Sequence, residues 1–177
     1  RCVCGSWPSA ISAAARTSSV RWIAALALAL ACVAGPARAD PASLYAVSHY
    51  DARRDPFRDL ELAQEQAQAE HRRVLLVLGG NWCGWCEILD RFIAEHPVVR
   101  AELTQSFLVV KINVSRTNPN ADFLSLFPEP DGYPSFIELD QRGVFAASQS
   151  TTDFELGRSY NAERLIAFAR RWREHPL

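Results

Sequence analysis

From Asp55 onward the chain switches between two hydrophobic rhythms, one of helical period and one of unbroken apolar runs. Phe57, Leu60, Ala63 and Ala67 follow Asp55-Pro56, an N-cap with proline at the first helical position, and predict a helix ending near Glu70-His71-Arg72-Arg73. Val74-Leu75-Leu76-Val77-Leu78 is continuously apolar, as a strand covered on both faces requires, and Gly79-Gly80-Asn81 turns the chain after it. Trp85, Ile88, Leu89, Phe92 and Ile93 resume the helical period. Pro97 interrupts it after His96 and opens a further helical turn carrying Val98, Val99, Leu103 and Phe107. Residues 108–114 predict a second buried strand, 115–120 a polar loop and 121–127 a short helix. The stretch from Pro128 to Pro134 is dense in turn residues, and residues 135–139 alternate as a strand does. Asp140-Gln141-Arg142-Gly143 predicts a hairpin turn that returns the chain through residues 144–147. Asn161 caps a last helix whose Leu165, Phe168, Ala169 and Trp172 face inward.

The order α-β-α-β-α-β-β-α mixes parallel crossovers with one hairpin. It specifies an α/β three-layer sandwich, a central mixed β-sheet flanked by helices on both faces. Residues 43–50 read as extended, so residues 40–54 form an N-terminal lead-in and 55–177 the folded domain. No internal repeat or low-complexity segment interrupts it.

Residues 1–39 contain no acidic residue. Arg16 and Arg21 flank a polar run, Trp22 to Ala34 is apolar, and Ala37-Arg38-Ala39 has the small-residue spacing of a cleavage site. These features predict a secretory signal peptide cleaved after Ala39, and hence a periplasmic or secreted protein. The apolar run is short for a membrane span, and Ala29-Leu30-Ala31 before Cys32 fits a lipidation signal poorly. With no methionine and Arg1 as first residue, the first dozen or so residues are expected to be a translation of sequence upstream of the true start, and no structure is assigned to Arg1 through Ala15. From Asp40 on, 15 basic residues stand against 20 acidic ones, which speaks against a nucleic-acid partner.

Of five cysteines, only Cys83 and Cys86 lie beyond residue 39. Two thiols separated by two residues close into a disulfide and reopen, and one such pair in an oxidising compartment suits a catalyst better than a stapled scaffold. The pattern places Cys83 at a helix N-terminus, where unpaired N–H groups and the helix dipole stabilise a thiolate, and Cys86 one turn in. Half of a zinc site also has this spacing, but no second Cys or His pair follows it, so no metal or other cofactor is expected.

Trp82-Cys83-x-x-Cys86 after a buried strand, Val110-Lys111-Ile112-Asn113 in the next strand and Gly132-Tyr133-Pro134 before the third together resemble the thioredoxin superfamily. The likeness covers roughly Asp55 to Arg173. Tyr50-Asp51, Leu78-Gly79-Gly80-Asn81-Trp82-Cys83 and Glu155 to Tyr160 resemble its exported bacterial members, grouped with the C-terminal domain of the transmembrane thiol-reducing hub. The resemblance implies that Cys83 attacks a client disulfide and Cys86 resolves the mixed disulfide. It also implies that Pro134 is cis beside the pair, with the Tyr133 backbone receiving a client peptide. Trp82 and Trp85 are assigned to the substrate-facing surface, Trp85 equally to a core contact.

Two departures from thioredoxin matter. Val77 stands where thioredoxin carries a buried acid, although its usual lysine neighbour is matched by Lys111, the only lysine in the chain. Glu87, with Asp90 one turn further, is then the available carboxylate, so Glu87 and Lys111 are the candidates for proton transfer. Gly84-Trp85 replaces Gly-Pro between the thiols, so the reduction potential is expected above thioredoxin's roughly −270 mV and below roughly −120 mV. The expectation is an exported, monomeric thiol–disulfide oxidoreductase working on protein cysteines, on the reducing side, with the membrane hub as electron donor. The alternatives are a thiol-based copper-binding or metal-delivery module, since a soft thiolate pair suits Cu(I), and a non-catalytic client-binding protein.

Overall fold

The structure, a computed structural model, describes residues 43–174, so the expected signal peptide and its cleavage site lie outside the described residues. The chain runs through β1 (Tyr45–Val47), α1 (Pro56–Ala69), β2 (Arg73–Gly79), α2 (Gly84–Glu95), α3 (Pro97–Ser106), β3 (Phe107–Asn113) and α4 (Ala121–Leu124). It continues through β4 (Ser135–Leu139), β5 (Phe145–Ser150), a 3₁₀ turn at Thr151–Phe154, β6 (Glu155–Leu156), β7 (Ser159–Tyr160) and α5 (Ala162–Glu174). Five strands form one sheet in the order β1-β3-β2-β4-β5, and β6 pairs with β7 separately. β2 is parallel to β3 and antiparallel to β4, the mixture that the crossovers and the hairpin imply.

Because successive strand residues point to opposite faces, the sheet sorts its apolar side chains into two cores. Leu75, Val77, Val109 and Phe136 pack with Leu89, Phe92, Leu103 and Phe168 from α2, α3 and α5. Leu76, Leu78, Val110, Ile112 and Ile137 pack on the other face with Ala63 and Ala67 of α1 and Phe123 of α4. The result is the three-layer α/β sandwich expected from the hydrophobic pattern.

Local chemistry sets the element ends. Asp55 accepts the Phe57 N–H at 2.9 Å to cap α1, and Asn161 accepts the Arg164 N–H at 3.1 Å to open α5. At the hairpin Asp140 Oδ1 accepts the N–H groups of Arg142 and Val144, each at 2.8 Å, and Gly143 takes the left-handed conformation (φ 79°).

Three departures from the sequence pattern have tertiary causes. The alternation in residues 135–139 predicts a half-exposed strand, yet all five are buried, because β4 lies between β2 and β5 with helices over both faces. β5 runs to Ser150 although Ser148, Gln149 and Ser150 carry little strand propensity, since pairing with β4 supplies their backbone partners. The β6–β7 hairpin had no signal of its own. Arg164 ties the loop before α5 in place, donating to the Asp153 and Glu155 carbonyls at 3.1 and 3.3 Å.

Candidate active site

β2 ends at Gly79, three residues of loop follow, and Cys83 is the N-cap of α2 in an extended conformation (φ −94°, ψ 104°). Its Sγ accepts the Cys86 N–H at 3.2 Å, a donor in the first turn that the Cys83 carbonyl shares at 3.1 Å. The two sulfurs are joined in a disulfide with a Cα–Cα separation of 5.2 Å. Cys83 is 7% exposed and Cys86 2%, so the N-cap sulfur is the more accessible of two buried ones. A negative charge at Cys83 falls on the favourable end of the α2 dipole, whereas one at Cys86 lies within the first turn.

Beneath the pair sits Tyr50, from the N-terminal lead-in, which forms a small cluster with Cys83 and Cys86 against which Trp85 and Tyr133 pack. A Cβ on Gly79 would lie 2.6 Å from Cys86 Sγ and 2.8 Å from the Tyr50 hydroxyl, so only glycine leaves both atoms their space. Asn81 Nδ2 donates to the Tyr50 carbonyl at 3.2 Å and holds that segment to the active-site loop.

Val77 and Lys111 are register partners on β2 and β3, so the apolar replacement lies directly beside the lysine. Lys111 Nζ bonds Asp90 Oδ2 at 2.6 Å and stands 5.1 Å from the Tyr50 ring and 5.6 Å from the Tyr45 ring. A buried ammonium is thereby held by one carboxylate and two aromatic faces. Burial, then the negative Asp90, raises the Tyr45 phenol to about 12 against the opposing charge of Arg100. Burial, Asp90, Tyr45 and Tyr160, in that order, raise Tyr50 further. Glu87 lies on the exposed side of α2; its backbone N–H donates to the Cys83 carbonyl at 3.3 Å, and its carboxylate makes no hydrogen bond or ion pair among the described residues. The carboxylate that reaches the lysine is Asp90.

Trp82 is 59% exposed, yet its Nε1 donates to the Val114 carbonyl at 2.7 Å and its ring meets Tyr133 edge-on at 5.5 Å. With Val114, Ser115, Arg116 and Thr117 it lines a cavity of about 680 Å³ beside the disulfide loop. The Tyr133–Pro134 peptide is cis, the isomer that the resemblance implies, and the buried Pro134 offers its carbonyl to Thr151 Oγ1 at 2.6 Å. Trp85 is half-buried; its ring meets Tyr160 edge-on at 5.6 Å and its carbonyl accepts the Tyr160 hydroxyl at 3.4 Å. It spans the core and the thiol cluster.

Residues 55–141 match the family model described as Thioredoxin-like. The chain carries a thioredoxin-like domain. Over 122 residues it is 25% identical to the thiol:disulfide interchange protein DsbD of Tatumella citrea, a stretch that is 67% of this chain and 20% of that protein. The chain thus spans about a fifth of the length of that relative. The disulphide isomerase of Xylella fastidiosa Temecula1 is 26% identical with a TM-score of 0.55, covering 69% of this chain and 94% of that one. The oxidised C-terminal domain of Neisseria meningitidis DsbD, 16% identical with a TM-score of 0.51 over 71% of this chain and 99% of that one, shares the fold.

Within the thioredoxin-like domain the structure brings together Cys83, Cys86, Trp82, Trp85 and Tyr133, the residue joined in cis to Pro134, and keeps Lys111 behind Tyr50. Sequence reasoning missed Tyr50 as a neighbour of the thiols. Its only signal was the Tyr50-Asp51 likeness, because a residue before α1 reaches the site only through the parallel pairing of β1 with β3. Among the described residues no three His, Cys, Asp or Glu side chains gather to hold a metal ion, and no helix is long and apolar enough to cross a membrane.

Proposed function

We propose that this protein is an exported thiol–disulfide oxidoreductase that exchanges disulfides with cysteines of client proteins through Cys83 and Cys86. The observation that carries the reading is the disulfide at the α2 N-terminus, set beside the exposed Trp82 and Tyr133 in a thioredoxin-like domain. In the dithiol form Cys83 thiolate, favoured by the helix start, attacks a client disulfide and leaves one client sulfur as a thiolate. Cys86 then attacks Cys83 Sγ, closes the internal disulfide and releases the second client sulfur. The client gains two electrons and the pair loses two. Trp82, Tyr133 and the backbone before Pro134 form the surface for the client peptide, and the cavity beside Trp82 admits an apolar client side chain.

The likeness to DsbD supports a periplasmic location, action on the reducing side, and a membrane protein of that kind as electron donor. Cys86→Ser is expected to accumulate mixed disulfides with clients, and Cys83→Ser to accumulate none. Equal trapping by both variants removes the role assignment. Alkylation of the exported protein in cells tests direction: a dithiol pool supports the reductase, and an almost wholly disulfide-bonded pool points to an oxidase.

A further inference from the structure

The resolving thiol poses a chemical problem that this chain solves in its own way. Cys86 is 2% exposed, and ionising a buried thiol among apolar groups is costly unless a donor or a positive charge meets the anion. Val77, on the same sheet face, offers neither. Hydroxyl chemistry arrives from another direction: the Tyr50 hydroxyl and Cys86 Sγ share the notch left by the missing side chain of Gly79. Tyr50 is 7% exposed and its ring packs against both cysteines. Its hydroxyl donates to no acceptor among the described residues, so in the disulfide state the donor stands unused beside a sulfur that accepts only weakly.

We infer that Tyr50 is the positioning residue for the resolving step, its O–H donating to the Cys86 thiolate that forms once the disulfide opens. This rests on the thiol–disulfide exchange proposed above. The groups facing the Tyr50–Cys86 pair are Tyr45 from β1, Asp90 from α2, Lys111 from β3, Tyr133 from the loop before β4 and Tyr160 from β7. Burial and the negative Asp90 hold the Tyr50 proton in place, so the phenol remains a donor across the neutral range. Lys111, 5.1 Å from the Tyr50 ring, adds a positive charge behind it. In the resolving step the Cys86 S–H loses its proton to water, and the thiolate accepts the Tyr50 hydrogen bond and attacks Cys83 Sγ. The Cys83–client S–S bond breaks as Cys83–Cys86 forms, and the departing client thiolate takes a proton from water. Tyr50 keeps its own proton throughout.

The experiment follows Cys86 alone, by the pH dependence of its alkylation in the Cys83→Ser protein, with Tyr50 intact and with Tyr50→Phe. Phenylalanine keeps the ring and removes only the donor. The profile is expected to move up by about one pH unit, a tenfold lower thiolate fraction at neutral pH. Release of a client peptide from a preformed Cys83 mixed disulfide should slow by about the same factor, since the attacking species is the thiolate. Incorporation of 3-fluorotyrosine at position 50, a stronger donor, should move the profile the other way, which a packing role would not do. An alkylation profile identical in the two proteins overturns the inference. Because alkylation needs no client, a parent protein that fails to reduce insulin would sink the exchange reading while leaving the Tyr50 measurement to stand or fall separately.

Discussion

At the end of β2 a single hydrogen atom in place of a side chain makes room for a sulfur and a phenol. Gly79→Ala is expected to cost about 1–3 kcal/mol, because a methyl group forced into filled space must move neighbours that the disulfide and the cluster hold. Urea unfolding of the oxidised protein measures it, and an unchanged midpoint would show that the notch is slack. Lys111 is likewise defined by its surroundings, with a side chain 6% exposed against 40% for Asp90. Asp90→Asn should lower stability by about 1–2 kcal/mol, less than for a wholly buried pair because water already screens the carboxylate. Adding Lys111→Met should recover part of the loss, and a double-mutant cycle reads the coupling. Additive losses would mean the pair contributes nothing.

On β4 an acidic residue is enclosed where the strand's neighbours are apolar. Glu138 is fully buried, and the Trp172 side chain of α5 is the hydrogen-bonding group that faces its carboxyl. Burial raises it from 4.5 to about 7, against the opposing charges of Arg171 and Arg73. A carboxyl whose folded value is raised binds its proton more tightly in the folded state. Glu138 therefore favours folding most below about 4.5, and this advantage is lost as pH climbs to about 7. The loss across that window is roughly 3 kcal/mol. Glu138→Gln should remove it, giving a protein close to the parent at pH 4.5 and more stable at pH 8. Denaturation at the two values decides, and equal differences at both would refute an ionisation cost. The cap of α1 is a smaller matter: Asp55→Ala should cost about 1 kcal/mol, seen as a lower melting temperature.

For the molecule as a whole, one guanidinium ties the lead-in to the sheet. Arg72, at the junction of α1 and β2, donates to the carbonyls of Ser43 at 2.8 Å, Thr104 at 3.2 Å and Phe107 at 2.8 Å, and pairs with Glu70. Arg72→Leu should cost about 2–4 kcal/mol, because buried carbonyls lose their donor together. Hydrogen exchange at β1 should then quicken first, and exchange that quickens uniformly would locate the loss elsewhere. The hydrophobic periods by themselves determined the order of helices and strands, the α/β class, and a thiol pair at a helix start, because each depends on residues within a turn or a strand of one another. Tertiary structure alone decided that Tyr50 meets Cys86, that Asp90 rather than Glu87 answers Lys111, and that Glu138 is sealed under α5. Asp90 and Lys111 are 21 positions apart on α2 and β3, with no periodicity linking them. What brings them together is the register of β3 against β2 and the angle at which α2 leaves the sheet, and both are settled only when the two cores close.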